Sequence, residues 1–395
     1  MKIALVELES FGHHYLLYLK TIIDAVKKSN VTTYVVVCKE VKKLAKLRSD
    51  KYIKYIFVKN LIYPNNKNIF NFFIFQFKSF FFLKKIYKNH LKILKLDHIY
   101  LNNVDHFEKI LSILGSPFDK VKFSGIFINP KVIKKNIFDF KNLIHYFFFK
   151  RILKIKTLTK IAVTNPITYK EINGNNLKKL QLLNEIPSAS NANTNFTKKI
   201  IKSFKKKFGI KESDIVLLVY GSIRLEKGIE YIVAALQNKN FFNTIKIIIA
   251  GKQNDEFFQY LKNLLNKNPN LNKRIIIYNK IVSDYSEKLF FKISDYTWVG
   301  YSKNFLGSSA VLFLASSMNV PVIGGHTGLI GHYIKKYKIG HSLDLKKTEI
   351  LVNLLNSLDK RKKFPLKNFF VVNNKFTQKK FQKTILKKLI ELKNF

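Results

Sequence analysis

Cysteine is almost absent from this chain: one residue, Cys38, stands among 395. A lone thiol excludes a disulfide framework, and a reducing, cytoplasmic setting is expected. Acidic residues are scarce as well, 25 against 71 Lys and Arg, which leaves a formal charge of +46. No stretch reaches the ~18 uninterrupted apolar residues of a spanning helix. The apolar run that opens the chain ends at Glu7 and Glu9, too soon for a signal peptide. There is no Asp-x-Asp metal motif, Walker loop, zinc spacing or catalytic triad, so no metal and no cofactor are expected. Nor is there a helix-turn-helix, a zinc finger or an RNP signature, so nucleic acid is not an expected partner despite the charge.

What is present is aromatic and apolar. Hydrophobic residues make up 47% of the chain, with 36 Phe and 19 Tyr, which excludes intrinsic disorder. At ~100–200 residues per domain the length predicts two domains. An AT-rich genome would supply part of the Lys, Asn, Ile and Phe excess, yet a charge this high still favours a polyanionic partner. Ile69 to Lys85 carries more Phe than one core helix needs and is punctuated by Lys78, Lys84 and Lys85, with Lys88 beyond. Rings among acyl chains with ammonium groups at anionic headgroups is the pattern of an interfacial helix. Tyr146-Phe147-Phe148-Phe149-Lys150-Arg151 repeats it.

Short apolar runs alternate with amphipathic segments along the whole chain, the mark of parallel α/β architecture. Lys2–Val6, Val31–Val37, Tyr52–Val58, His98–Leu101, Val121–Ile128 and Lys160–Thr164 read as strands of a first domain over 1–187. The polar, non-periodic run from Pro187 to Asn195 reads as a linker. A second series over 188–375 places strands at Ile215–Tyr220, Thr244–Ala250, Arg274–Tyr278, Tyr296–Val299 and Pro321–Gly324. The last segment, 376–395, reads as a lysine-rich helix able to pack back on the N-terminal domain. Two doubly wound halves facing each other across a cleft are expected, with ligands at the strand C-terminal ends.

Two constellations fall at such ends. In Tyr220-Gly221-Ser222-Ile223-Arg224-Leu225-Glu226-Lys227-Gly228 a strand stops at a glycine and Lys-Gly opens a helix. Gly221 permits close approach, and Arg224, Lys227 and the helix-start N–H groups can face one anion. In Gly300-Tyr301 through Gly307-Ser308-Ser309, the serines are expected to supply N-cap hydroxyls beside a sugar, ribose or phosphate. In the first half, Gly12-His13-His14 starts a helix after the first strand. Its histidines can bind phosphate or serve as acid or base near neutral pH. Asp105-His106 follows another strand. Asp105 can take a proton from an acceptor hydroxyl, and either residue can stabilise developing positive charge; as a plainer alternative, Asp105 caps a helix beginning at Phe107.

These motifs, with Ile249-Ala250-Gly251, Ser294-Asp295-Tyr296, Val320-Pro321-Val322-Ile323 and Gly328-Leu329-Ile330-Gly331, resemble the group-1 (family 4-like) glycosyltransferases of GT-B fold. The resemblance is clearest over 215–345. It implies transfer of a sugar from a nucleotide-sugar to an acceptor hydroxyl, with retention of configuration. It also implies Lys227 at the donor diphosphate and Gly307, Ser308, Ser309 and Tyr301 near the donor, and a histidine near His106 touching the reacting sugar. Ser222 replaces the arginine the family carries after its glycine, with Arg224 nearby. The family's glutamate pair is replaced by Leu306 and Leu314, which marks a divergent branch. Together with the basic, Phe-rich stretches, the resemblance predicts a lipid-linked or glycan acceptor and an anionic membrane partner. The expected place is the inner face of a bacterial cytoplasmic membrane, in surface-polysaccharide synthesis. The rival readings are a nucleic-acid-binding protein and an inactive, transferase-like partner subunit.

Overall fold

The computed structural model describes residues 1–9, 13–44, 47–61, 69–128, 140–172, 177–186, 195–302, 305, 307–360 and 364–391. They form two compact units, Met1–Ile186 with Thr377–Phe395, and Pro187–Phe376.

The first unit runs β1 (Lys2–Val6), α1 (His13–Lys27), β2 (Thr32–Val37), α2 (Lys39–Leu44), β3 (Ile53–Phe57), α3 (Ile69–Ile86), β4 (His98–Leu101), α4 (Glu108–Leu114), β5 (Lys122–Phe127), α5 (Phe140–Leu153), β6 (Leu158–Val163), α6 (Pro166–Ile172) and β7 (Leu180–Leu182). Its parallel sheet is ordered β3-β2-β1-β4-β5-β6-β7. Side-chain alternation divides the core. Ile3 and Leu5 pack with Tyr18, Leu19 and Ile22 of α1, whereas Ala4 and Val6 pack with Phe75, Phe80 and Leu83 of α3.

The second unit runs α7 (Lys198–Lys207), β8 (Ile215–Tyr220), α8 (Ile229–Gln237), β9 (Ile245–Ala250), α9 (Asp255–Lys267), α10 (Pro269–Asn272), β10 (Ile275–Tyr278), α11 (Asp284–Ile293), β11 (Tyr296–Val299), α12 (Ala310–Ser317), β12 (Val322–Gly325), α13 (Gly328–Tyr337), β13 (Gly340–Leu343), α14 (Thr348–Ser357) and α15 (Leu366–Lys375). Its parallel sheet is ordered β10-β9-β8-β11-β12-β13. β8 is buried throughout, as a strand covered on both faces must be, and its sequence is correspondingly an unbroken apolar run. The helices carry their own start signals: Asn254 accepts from Phe257 N–H at α9, and Ser283 from Ser286 N–H at α11.

After Phe376 the chain enters the first unit again. There α16 (Gln378–Lys388) lies on α1, with Phe381 edge-on to Tyr18 at 5.2 Å and Gln382 Nε2 donating to Thr21 O. In each sheet the strand order reverses beside the first strand of its series, between β1 and β4 and between β8 and β11. Those reversals are where a doubly wound sheet opens a crevice for ligands.

Candidate active site

At the β8/β11 reversal the chain turns sharply at Gly221. Its φ of +101° is a conformation side chains rarely adopt. Lys227 follows in a short 3-10 turn, and Gly228, φ +61°, opens α8. A Cβ on Gly228 would stand 2.1 Å from Gly300 O, so these two loops approach too closely for any other residue. Lys227 is only 7% exposed. Its Nζ donates to Tyr220 O at 3.0 Å and to the Tyr301 hydroxyl at 2.9 Å, and sits 4.8 Å from the centre of the Tyr301 ring. Tyr301 in turn lies 2.9 Å from Ser309 Oγ and stacks on Phe305. Two of the three ammonium donors are thus used, and one remains for an anion.

Gly221, Lys227, Tyr301 and Ser309 therefore share one site, while Arg224, whose carbonyl accepts from Lys227 N–H at 3.0 Å, keeps its side chain largely exposed. That guanidinium is 57% exposed, with its nearest carboxylate on Glu226 at 3.8 Å. The expected capping by serine hydroxyls is corrected. Ser309 is the N-cap of α12 but makes no side-chain cap bond, because its hydroxyl is taken up by Tyr301. Gly307 and Ser308 are half-buried just before it, and the α12 residue Leu314 is buried.

Tyr220 of the first motif and residues without any motif complete this region. Tyr220 donates to Glu287 Oε2 at 2.6 Å. Burial raises both the Tyr220 hydroxyl and the Glu287 carboxyl, foremost by removing water from the charged forms. Beside Tyr301 lies a cavity of about 340 Å³ whose rim includes Tyr231, Ser302, His326, Thr327, Asp344 and Lys346.

In the first unit, the strand-end edge between β1 and β4 holds a buried polar cluster. Glu7 Oε2 accepts from Asn102 Nδ2 at 2.6 Å, and Glu7 Oε1 from Glu9 N–H at 3.0 Å. His106 Nε2 touches Glu9 Oε1 and lies 2.9 Å from Asn103 Nδ2. Burial, against the opposing hydrogen bond from Asn102, raises the Glu7 carboxyl to about 7. Asp105 is no helix cap. Its Oδ2 accepts from Ile128 N–H at 3.2 Å, tying the β4 exit to the β5 exit, while α4 begins after Phe107 with no side-chain cap. Gly12 lies outside the described residues, as do the side chains of His13 and His14, whose backbone opens α1.

The Phe-rich helix α3 is divided between core and solvent. Phe75 and Phe80 are buried, whereas Phe70, Phe73, Phe77 and Phe81 are 67, 38, 47 and 42% exposed. Their spacing makes one helical stripe. In α5, Phe149 is a core residue and Phe147 is exposed. Among the described residues no helix is long and apolar enough to cross a membrane, and no three His, Cys, Asp or Glu side chains are grouped to hold a metal ion.

Two parallel doubly wound sheets of this order, each with a strand-end site, define the GT-B glycosyltransferase fold. Solved structures share it along the whole chain. HepE of Anabaena in complex with UDP-glucose matches at a TM-score of 0.69 and 12% identity, covering 99% of this chain and 100% of its own. A glycosyltransferase from Rickettsia africae matches at 0.65 and 16%, covering 100% and 99%. WaaG, a glycosyltransferase involved in lipopolysaccharide biosynthesis, matches at 0.58 and 14%, covering 97% and 94%. No curated protein matches the chain significantly in sequence. Residues 200–368, nearly all of the second unit, match the family model for glycosyl transferases group 1.

Proposed function

We propose that the protein transfers a sugar from a nucleotide-sugar to an acceptor hydroxyl, holding the donor diphosphate at Lys227. The observation that carries this reading is the Lys227–Tyr301–Ser309 network: a buried ammonium with an unused donor, at the strand-end crevice of a unit that matches the group 1 glycosyltransferase family. As the anomeric carbon–oxygen bond breaks, negative charge grows on the leaving diphosphate, and a fixed cation stabilises it without reorganisation. Gly221, Gly307 and Ser308 leave the backbone open to the donor, and the exposed Arg224 is the second cation. The complexes of HepE with UDP and UDP-glucose support a uridine donor.

The first unit is assigned the acceptor. We assign the phosphate side to Gly12, His13 and His14 and the reacting side to Asp105 and His106, with Glu9 fixing the His106 ring. Transfer is retaining and needs no metal, since the site supplies its cations from side chains. The acceptor is a lipid-linked glycan of surface-polysaccharide synthesis, met at the anionic inner face of the cytoplasmic membrane. The exposed α3 stripe and the +46 charge support that placement, as does the lipopolysaccharide role of WaaG.

The test is turnover and binding of a nucleotide-sugar panel, with Lys227→Ala alongside. Loss of donor affinity in the variant supports the site, and an unchanged donor Kd removes it. Donor binding with no turnover on any acceptor would favour the inactive-subunit reading, to which the buried Leu314 at a family glutamate position already points.

A further inference from the structure

Tyr301 faces two environments. Its hydroxyl belongs to the Lys227 network, at 2.9 Å from both Nζ and Ser309 Oγ, and the same residue lines the neighbouring cavity of about 340 Å³. A ligand with an anion at Lys227 therefore reaches the cavity across one side chain. The cavity is at the small end of ligand pockets. It has room for one pyranose ring with its waters.

Its lining suits such a ring. Tyr231, Tyr301 and Phe305 give aromatic wall for C–H faces, while Thr327, His326 and Asp344 bring a hydroxyl, an imidazole and a carboxylate to the rim. These polar groups are not consumed by the fold. Thr327 is the N-cap residue of α13 yet makes no side-chain cap bond. Asp344 Oδ1 accepts from Lys346 N–H at 3.2 Å, which leaves Oδ2 for a ligand hydroxyl. The two residues stand at the ends of adjacent strands, β12 and β13, whose pairing carries Gly325 beside Leu343.

We propose that this cavity receives the transferred sugar of the donor and that Asp344 and Thr327 select it by binding its hydroxyls. The inference rests on the donor reading of Lys227 and adds the place and the determinants of sugar choice. A carboxylate accepting from a hydroxyl is a charge-assisted bond, and its partner must carry the hydroxyl at the right ring position. Epimers are thereby distinguished.

Calorimetry on the full chain tests it, with UDP, GDP, dTDP and ADP as probes and each compared with its glucose and galactose conjugates. The expected result is that one nucleotide binds, that a conjugate binds more tightly than the bare diphosphate, and that Asp344→Asn and Thr327→Val each remove about tenfold of that gain. The bare nucleotide keeps its affinity in both variants, which also shows that they fold, and the glucose-to-galactose preference changes. Equal affinity of conjugate and bare nucleotide in the unmodified chain overturns the proposal, as does an undiminished gain in both variants. Failure of all four nucleotides to bind, or binding indifferent to Lys227→Ala, instead overturns the donor reading beneath it.

Discussion

Lys227 Nζ and the Tyr301 hydroxyl are hydrogen-bonded at 2.9 Å, although 74 positions separate them in sequence. The contact orients the ammonium from below, while the ring of the same tyrosine lies 4.8 Å away as a second, non-directional support. Tyr301→Phe separates the two effects. It keeps the ring and its stacking on Phe305 but deletes the hydroxyl shared by Lys227 and Ser309. Donor affinity should fall by about fivefold to tenfold, short of the loss in Lys227→Ala, with about 1 kcal/mol of stability lost. Calorimetry with a donor and urea denaturation read the two quantities.

Gly221 and Gly228 both have positive φ, yet alanine should be tolerated unequally. At Gly221 a Cβ meets only Val311 Cγ2 at 3.6 Å and Lys227 Nζ at 3.8 Å, so the cost is backbone strain, about 1–2 kcal/mol. At Gly228 the same atom overlaps a backbone carbonyl, and the two loops must part. Gly228→Ala should therefore lose more in urea midpoint than Gly221→Ala. It should also weaken donor binding more, because moving Gly300 moves Tyr301. Equal midpoints would contradict the close packing of these loops.

Two buried groups in the first unit give opposite pH dependences. Glu7 is raised to about 7 by burial, so between about 4.5 and 7 the folded chain holds a proton that the unfolded chain has released, and stability falls as pH rises through that window. His98 is lowered to about 4, foremost by burial, beside Ser124 Oγ at 2.7 Å. Between about 6.5 and 4 the unfolded chain takes up the proton first, so stability falls as pH drops. Glu7→Gln removes only the first effect. Relative to the parent, its stability should improve steadily from pH 5 to pH 7 and change little beyond, as read by urea denaturation at fixed ionic strength. A pH-independent difference would mean that Glu7 titrates normally.

The parallel sheets were legible because a strand buried on both faces must be an apolar run, and β8 is such a run with turn residues at each end. The sites were legible only where backbone geometry demanded glycine, as at Gly221, or where the family motif placed Lys227. Glu7 and Glu9 looked like the polar end of a strand. It is the pairing of β1 with β4 that brings Asn102 to Glu7, 95 residues away, and no local pattern encodes it. Asp344 and Thr327 carry no motif either, since their meeting depends on β12 lying beside β13. Ser309 misled for a related reason: a serine before a helix normally caps it, but a distant tyrosine competes for the hydroxyl.

The last prediction concerns α3. Phe73, Phe77 and Phe81 lie on one helical stripe and expose about two-fifths of their surface each, while the buried Phe75, Phe80 and Leu83 hold the helix to the sheet. Solvent-facing Lys78, Lys85 and Lys88 stand along and just beyond the same helix. Such a surface should sit at an anionic bilayer with its rings below the headgroups, each nearby lysine adding about 1 kcal/mol at low salt. Replacing Phe73, Phe77 and Phe81 by Ser should leave the thermal midpoint nearly unchanged, because these faces contribute little to the core. It should sharply reduce sedimentation with vesicles containing phosphatidylglycerol. Replacing Lys78, Lys85 and Lys88 by Gln should have the same direction but vanish at high salt, where the parent loses its electrostatic attraction too. Unchanged sedimentation of both variants would show that the stripe does not meet the membrane.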